Sequence, residues 1–65
     1  MQILLNGEAY ATDAKTLDEL CEQLGLAEAK IATAVNGNFV AAVARSGTNL
    51  APSDEIEIVA PRQGG

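Results

Sequence analysis

The chain has 65 residues, nine acidic side chains against four basic ones, and a formal net charge of −5 at pH 7. This length fits one domain and excludes a second, and a hydrophobic content of 48% is enough for one compact core. The acidic balance and an aromatic content of 3% argue against nucleic-acid binding, because phosphate backbones attract basic surfaces and bases stack on aromatic rings.

The N-terminal sequence MQILLN has no basic leader, and the chain has no apolar run near the ~20 residues that span a bilayer. Cys21 is the only cysteine, so an internal disulfide is impossible, which is typical of a reducing compartment. We therefore expect a cytoplasmic protein that does not associate with membranes.

The first predicted element is a β-hairpin. MQILLN and EAYAT flank the dipeptide Asn6-Gly7, and Asn-Gly is the strongest short signal for a type I′ turn. Alternation places Met1, Ile3 and Leu5 on one face of the first strand. The opposite face carries Gln2, Leu4 and Asn6, and its polar residues mark it as the outer face. Leu4 is therefore expected to be apolar and exposed.

A helix is predicted to follow, with a capping box at its start. Thr16 can cap a backbone N–H, and Glu19 can reach back to the N–H of Thr16. Gly25 provides the C-terminal stop. The apolar face has the helical spacing i, i+3, i+4, i+7 and consists of Leu17, Leu20, Cys21 and Leu24.

A second hairpin is predicted around Asn36-Gly37, between two apolar stretches. Its first strand alternates between a face with Ile31, Thr33 and Val35 and a face with Ala32 and Ala34. The next segment, residues 41–46, is rich in alanine and is compatible with either strand or helix. Gly47 is expected in a loop.

The last strand, EIEIVA, follows a turn formed by PSD at residues 52–54. Its glutamates, Glu55 and Glu57, mark an outer face that also carries Val59. The inner face is predicted to carry Ile56, Ile58 and Ala60.

The element order β, β, α, β, β, β predicts an α+β fold in which one helix covers one face of one sheet. A right-handed crossover places the first and last strands side by side and parallel at the sheet centre. This arrangement is the β-grasp, or ubiquitin-like, roll, with a mixed four- to five-stranded sheet on one main helix. We expect a β-grasp domain at residues 1–60 and a flexible C-terminal tail at residues 61–65.

The folded part lacks the usual equipment of an enzyme. The chain has no histidine, so the commonest general base and most metal sites are absent. Asp18 and Glu22 are more simply a solvated helix face than a cation site, and Cys21 has a core position rather than that of a reactive thiol. No phosphate-binding glycine motif is present. The sequence thus predicts no metal site and no catalyst acting alone.

Two of the six glycines have no structural role in this interpretation. Gly7 and Gly37 belong to turns and Gly25 to a helix end, whereas Gly64 and Gly65 end the chain. Without a Cβ, such a tail can thread a narrow channel and bring its carboxylate close to the catalytic groups of another protein. The alternative is a frayed terminus, but a tail that leaves a central strand favours a functional role.

The sequence resembles the ThiS family, the sulfur carriers of thiamine biosynthesis, which are relatives of ubiquitin. The resemblance extends along the chain through the segments MQILLNG, TLDELCEQLGL, AVNGNFV and DEIEIVAPRQGG. The sequence departs from the family pattern at Ala41, where proline is frequent, and at Ser53, where glycine is usual. Both departures concern turns and leave the tail intact.

The resemblance implies that this chain is a covalent co-substrate and not an enzyme. A ThiF-like enzyme uses ATP to adenylate the carboxylate of Gly65, and a sulfur relay from a cysteine desulfurase converts it to a thiocarboxylate. A ThiG-like thiazole synthase then takes the sulfur. Gly64, Gln63 and Arg62 would thread the tail into the partner. The chain itself would bind no cofactor and would be monomeric when free.

Partner docking is expected on the outer face of the sheet, which binds activating enzymes in ubiquitin-like proteins. The predicted docking patch consists of the outward apolar residues Leu4, Ala34 and Val59.

Three other functions remain open at this point. The small subunit of molybdopterin synthase has the same fold, tail and thiocarboxylate chemistry, although it is usually longer. A protein modifier that forms isopeptide bonds with lysines is a second possibility, and a β-grasp interaction module with an inert tail is a third.

Overall fold

The computed structural model describes residues 1–60 of the chain. These residues form two hairpins separated by a helix, followed by a 3₁₀ helix and a last strand. The bounds are β1 Gln2–Leu5, β2 Glu8–Ala11, α1 Leu17–Gln23, β3 Ala32–Val35, β4 Asn38–Val40, the 3₁₀ helix Ala42–Gly47 and β5 Glu55–Val59. Within residues 1–60, neither helix has the length and apolar character needed to cross a membrane.

The five strands form one mixed sheet in the order β2-β1-β5-β3-β4. β1 and β5 run parallel at its centre, with Leu4 opposite Glu55 and Leu5 opposite Ile56. β3 pairs with the other edge of β5 in antiparallel orientation. The predicted α+β class, the β-grasp topology and the central parallel pair are therefore confirmed.

Both hairpins have the tight turn that their Asn-Gly sequences predict. Asn6 and Asn36 each have a φ of 51°, and Gly7 and Gly37 follow with φ of 85° and 84°. Positive φ at both central residues is the requirement of a type I′ turn, and its twist matches that of the flanking strands.

Helix α1 begins after Thr16, whose hydroxyl accepts a hydrogen bond from the backbone N–H of Glu19. The predicted return contact is wrong in one detail, because Glu19 accepts from the backbone N–H of Lys15 (2.8 Å) and not from that of Thr16. Lys15 directly precedes the N-cap residue Thr16, and the Glu19 side chain is long enough to reach the backbone N–H of Lys15. The helix ends at Gln23 with Leu24 as its C-cap, and Gly25 follows with a φ of 76°, the positive φ expected of the predicted stop.

The core lies between α1 and the inner face of the sheet. It consists of Ile3, Ala14, Leu17, Leu20, Cys21, Ile56 and Ile58. Met1 and Ala60 were expected on this inner face, but both are exposed. They lie just outside β1 and β5, and a seven-residue helix is only about 10 Å long, which is too short to cover the ends of the sheet.

The alanine-rich segment left open by the sequence is a 3₁₀ helix, which includes Gly47 as its last residue rather than in a plain loop. One side chain explains how this segment is attached to the sheet. Arg45 donates from Nε to the Thr33 hydroxyl (3.0 Å) and from Nη2 to the carbonyl of Ile31 (2.8 Å). The Thr33 hydroxyl donates in turn to the carbonyl of Val40 (2.7 Å), so this buried polar group is fully paired.

Candidate functional site

The predicted tail residues Arg62, Gln63, Gly64 and Gly65 lie outside the described residues. The structure does describe the strand that leads to them. β5 ends at Val59 and is a central strand, paired on one edge with β1 and on the other with β3. The tail is therefore attached covalently to the central strand of the sheet, which has a neighbouring strand on each edge.

Pairing of β5 with β1 stops before pairing with β3 does. The Asn6 N–H donates to the carbonyl of Ile56 (2.8 Å), and the chain then turns away at Gly7. On the opposite edge, Ala32 still faces Val59. The β1 edge of Ile58 is thus beyond the reach of the β1 main chain.

Asparagine side chains complete both edges of β5. The Asn6 carboxamide accepts from the Ile58 N–H (2.9 Å) and donates to the Ile58 carbonyl (3.1 Å). At the start of the strand, Asn36 accepts from the Glu55 N–H (2.9 Å) and donates to the carboxylate of Asp54 (3.0 Å).

The outer face of the sheet carries a shallow apolar groove of about 200 Å³, lined by Ala32, Thr33, Ala34, Phe39, Glu57 and Val59. Two members of the predicted docking patch, Ala34 and Val59, meet in this groove. The third, Leu4, does not line it. Leu4 lies on β1, and its partner on β5 is Glu55, four positions before Val59. Leu4 is itself 37% exposed.

Phe39 is the main groove residue that the sequence prediction omitted. Phe39 is 73% exposed, more than any other large apolar residue among residues 1–60 except Val43. The signal was present, because a two-residue Asn-Gly turn sets Ala34 opposite Phe39 in the β3–β4 register. Since Ala34 was assigned to the outer face, its cross-strand partner belongs there as well.

Cys21 is not placed to act as a nucleophile. Its side chain is buried in the core, and burial raises the pKa of the Cys21 thiol, an effect only partly offset by the positive charge of Arg45. A thiol with a raised pKa in an apolar setting is weakly reactive. The structure thus agrees with the predicted core position of this residue.

The acidic residues of α1 lie on its solvent side. Glu22 is exposed and Asp18 is half-buried. Within residues 1–60, no three His, Cys, Asp or Glu side chains are grouped in a way that could hold a metal ion.

Comparison with known proteins agrees with this geometry. A crystal structure of the thiamine biosynthesis protein ThiS from Geobacter metallireducens superposes with a TM-score of 0.83 at 26% identity, and each chain is covered completely. An NMR solution structure of a thiamine biosynthesis protein from the same organism gives a TM-score of 0.80 at 25% identity, covering all of this chain and 88% of the other.

The family comparison covers nearly the whole chain. No curated protein sequence matches significantly. The model of the ThiS family, however, matches residues 3–65, a range that includes the first hairpin from its second residue, the helix, the second hairpin and the Gly-Gly sequence. The chain therefore belongs to the ThiS family.

Proposed function

We propose that this chain is a sulfur carrier whose Gly65 carboxylate is converted to a thiocarboxylate that supplies sulfur for thiazole formation in thiamine biosynthesis. The observation that carries the proposal is the family match over residues 3–65, which spans the β-grasp and the Gly-Gly sequence together. The placement of β5 at the sheet centre supports it, because the tail then begins at a fixed point.

The chemistry proposed at Gly65 proceeds in three steps. The carboxylate attacks the α-phosphate of ATP on a ThiF-like enzyme and releases pyrophosphate, which gives an acyl-adenylate with a good leaving group. A persulfide from the sulfur relay of a cysteine desulfurase displaces AMP, and a thiol cleaves the resulting S–S bond to leave the thiocarboxylate. A ThiG-like synthase then transfers the sulfur to the thiazole precursor and returns the carboxylate.

In this proposal the folded part of the chain binds the partner enzymes and presents the tail, and it does not act as a catalyst. Burial of Cys21 and its raised thiol pKa support a role for the terminal carboxylate, rather than this thiol, as the sulfur acceptor. ATP is bound by the activating partner, and the chain itself uses no cofactor. A single buried cysteine also suits a reducing compartment, so we propose that the carrier acts in the cytoplasm. We further propose that it is monomeric when free.

Docking of the ThiF-like and ThiG-like partners is proposed on the outer face of the sheet. The exposed side chains of Phe39 and Val59, with the half-buried methyl group of Ala34 between them in the groove, provide a small apolar centre, and Leu4 extends it toward β1. Glu55 and Glu57 lie on the same face and are exposed, which favours a partner with basic residues around an apolar contact.

The tail then connects the docked β-grasp domain to the active site of the partner enzyme. Residues 60–65 span at most about 20 Å when extended, enough to enter an active site while the sheet remains outside. In this proposal Arg62, Gln63 and Gly64 thread a narrow channel, and the absence of a Cβ at Gly64 and Gly65 allows close approach to the reacting groups.

Intact-mass analysis tests the proposal. The protein is incubated with a ThiF-like enzyme, ATP, a cysteine desulfurase, cysteine and a thiol reductant. We expect a mass increase that corresponds to one oxygen replaced by sulfur, lost when Gly65 is deleted. An unchanged mass beside a positive-control carrier would contradict the proposal and favour the inert interaction module. Adducts on lysines of other proteins would instead identify a modifier.

A further inference from the structure

We propose that Asn6 is a positioning residue for the tail. Its carboxamide takes the place of the β1 main chain beside Ile58 and so fixes the end of β5, from which the reacting terminus continues. This inference rests on the proposed function for its consequence in activation. Its structural part stands on the contacts of Asn6 alone.

The ladder between β1 and β5 shows what the side chain replaces. In a parallel pair, a residue whose N–H bonds one strand accepts through its carbonyl from the residue two positions further along that strand. Asn6 donates its N–H to the Ile56 carbonyl (2.8 Å), so the Ile58 N–H would next bond the Asn6 carbonyl. The Ile58 carbonyl would then accept from the N–H of residue 8.

The turn removes both of these partners. With a φ of 51° at Asn6 and 85° at Gly7, the main chain reverses direction and pairs with itself, so Leu5 faces Glu8. The Asn6 carboxamide bonds both groups of Ile58 instead, at 2.9 Å and 3.1 Å. One side chain therefore continues the ladder that the turn interrupts.

The position of this contact gives it its role. Ile58 is the last buried residue of β5, and residues 59 and 60 are exposed. Without Asn6, the end of β5 would be held on the β3 edge alone. When a strand end is hydrogen-bonded on both edges, the chain that follows it starts in one fixed direction. When it is bonded on one edge only, that direction can vary. Orientation of a reacting group is a large part of its reactivity in a complex.

The second hairpin provides a matched control. Asn36 has the same φ of 51°, precedes a glycine in the same turn, and also makes two side-chain hydrogen bonds, to Glu55 and Asp54. These contacts hold the start of β5, at the end away from the tail. Asn6→Gly and Asn36→Gly each keep the turn, because glycine accepts positive φ, and each removes two hydrogen bonds.

Two measurements on full-length Asn6→Gly and Asn36→Gly test the inference. Hydrogen exchange should be roughly tenfold faster at the Ile58 amide in Asn6→Gly and at the Glu55 amide in Asn36→Gly. In steady-state adenylation by the ThiF-like enzyme, Asn6→Gly should lower kcat about five- to tenfold with KM nearly unchanged, because docking remains while the terminus is misdirected. Asn36→Gly should retain the wild-type kcat.

The outcomes separate this inference from the proposed function. Unchanged exchange at Ile58 would overturn the contact, whatever the enzyme does. Faster exchange with an unchanged kcat, or an equal loss of kcat in both variants, would overturn positioning by Asn6. If the wild-type chain is not adenylated at all, the proposed function fails, and with it the role of Asn6 in activation, while the exchange data still decide whether Asn6 holds Ile58.

Discussion

The two hairpins of the sheet share a turn sequence and a turn conformation, yet they hold opposite ends of the same strand. The β1–β2 hairpin pairs parallel with β5 and uses Asn6 to reach its end. The β3–β4 hairpin pairs antiparallel and uses Asn36 to reach its start. The same local device therefore has a different consequence at each site, because the direction of pairing decides which end of β5 it meets.

The hairpins also differ in what lies on their two faces. The second hairpin has the apolar groove of Ala34 and Phe39 outside and the paired Thr33–Arg45 contact inside. The first hairpin has only Leu4 as a large exposed apolar residue within its strands, and among residues 1–60 no arginine side chain donates a hydrogen bond to it. Attachment to the 3₁₀ helix thus accompanies the hairpin that presents the larger apolar surface.

The largest expected effect on stability is at the inner anchor of the second hairpin. Arg45→Met should lower the free energy of unfolding by about 2–4 kcal/mol, because the Ile31 carbonyl and the Thr33 hydroxyl lose hydrogen bonds from a charged donor. Urea denaturation measures this loss, and thiol labelling of Cys21 should accelerate with it. The exposed Lys15→Met is the control for charge and should change stability by less than about 0.5 kcal/mol. Equal stability of the two variants would refute the anchoring role.

A smaller and symmetric effect is expected at the turn glycines. Gly7→Ala and Gly37→Ala should each lower stability by about 1–2 kcal/mol, because a Cβ disfavours φ near 85° even where space is open. Thermal and urea unfolding measure the pair. Gly47→Ala is the matched control, since its φ is not positive and nothing lies within 4 Å of an added Cβ. Losses that differ widely between Gly7 and Gly37 would show that the turns are not equivalent.

The smallest effect on stability, but a measurable one on binding, is expected in the groove. Phe39→Thr should change the free energy of unfolding by about 0.5 kcal/mol or less and raise KM for the ThiF-like enzyme about tenfold. Leu4→Thr, on the other hairpin and outside the groove, should raise KM less. A larger effect at Leu4 than at Phe39 would place the partner on the first hairpin and reverse this assignment.

Much of the fold could be predicted from local patterns. Each Asn-Gly dipeptide specifies one turn, alternation in EIEIV assigns Ile56 and Ile58 to the core, and the spacing of Leu17, Leu20 and Cys21 gives the buried helix face. These signals act within a few residues and depend little on the rest of the chain. The central parallel pair followed from the chirality of the crossover.

The remainder depends on contacts between distant segments. The 3₁₀ conformation of Ala42–Gly47 is stabilised by Arg45 reaching Thr33 and Ile31, which alanine-rich sequence does not reveal. The contact of Asn6 with Ile58 joins residues 52 positions apart and appears only once the register is known. Separation of Leu4 from the groove is likewise a matter of register, because both face outward but at different heights along β5.

Transfer of labelled sulfur is the most direct test of the carrier function. The protein is first converted to its thiocarboxylate by the ThiF-like enzyme and the cysteine desulfurase, with cysteine that carries labelled sulfur. It is then purified and incubated with a ThiG-like synthase and the thiazole precursors. We expect the label to move from the Gly65 thiocarboxylate into the thiazole in stoichiometric amount and the carrier to return to its original mass. Retention of the label on the protein, or its transfer only to a molybdopterin precursor by molybdopterin synthase, would contradict a role in thiazole formation.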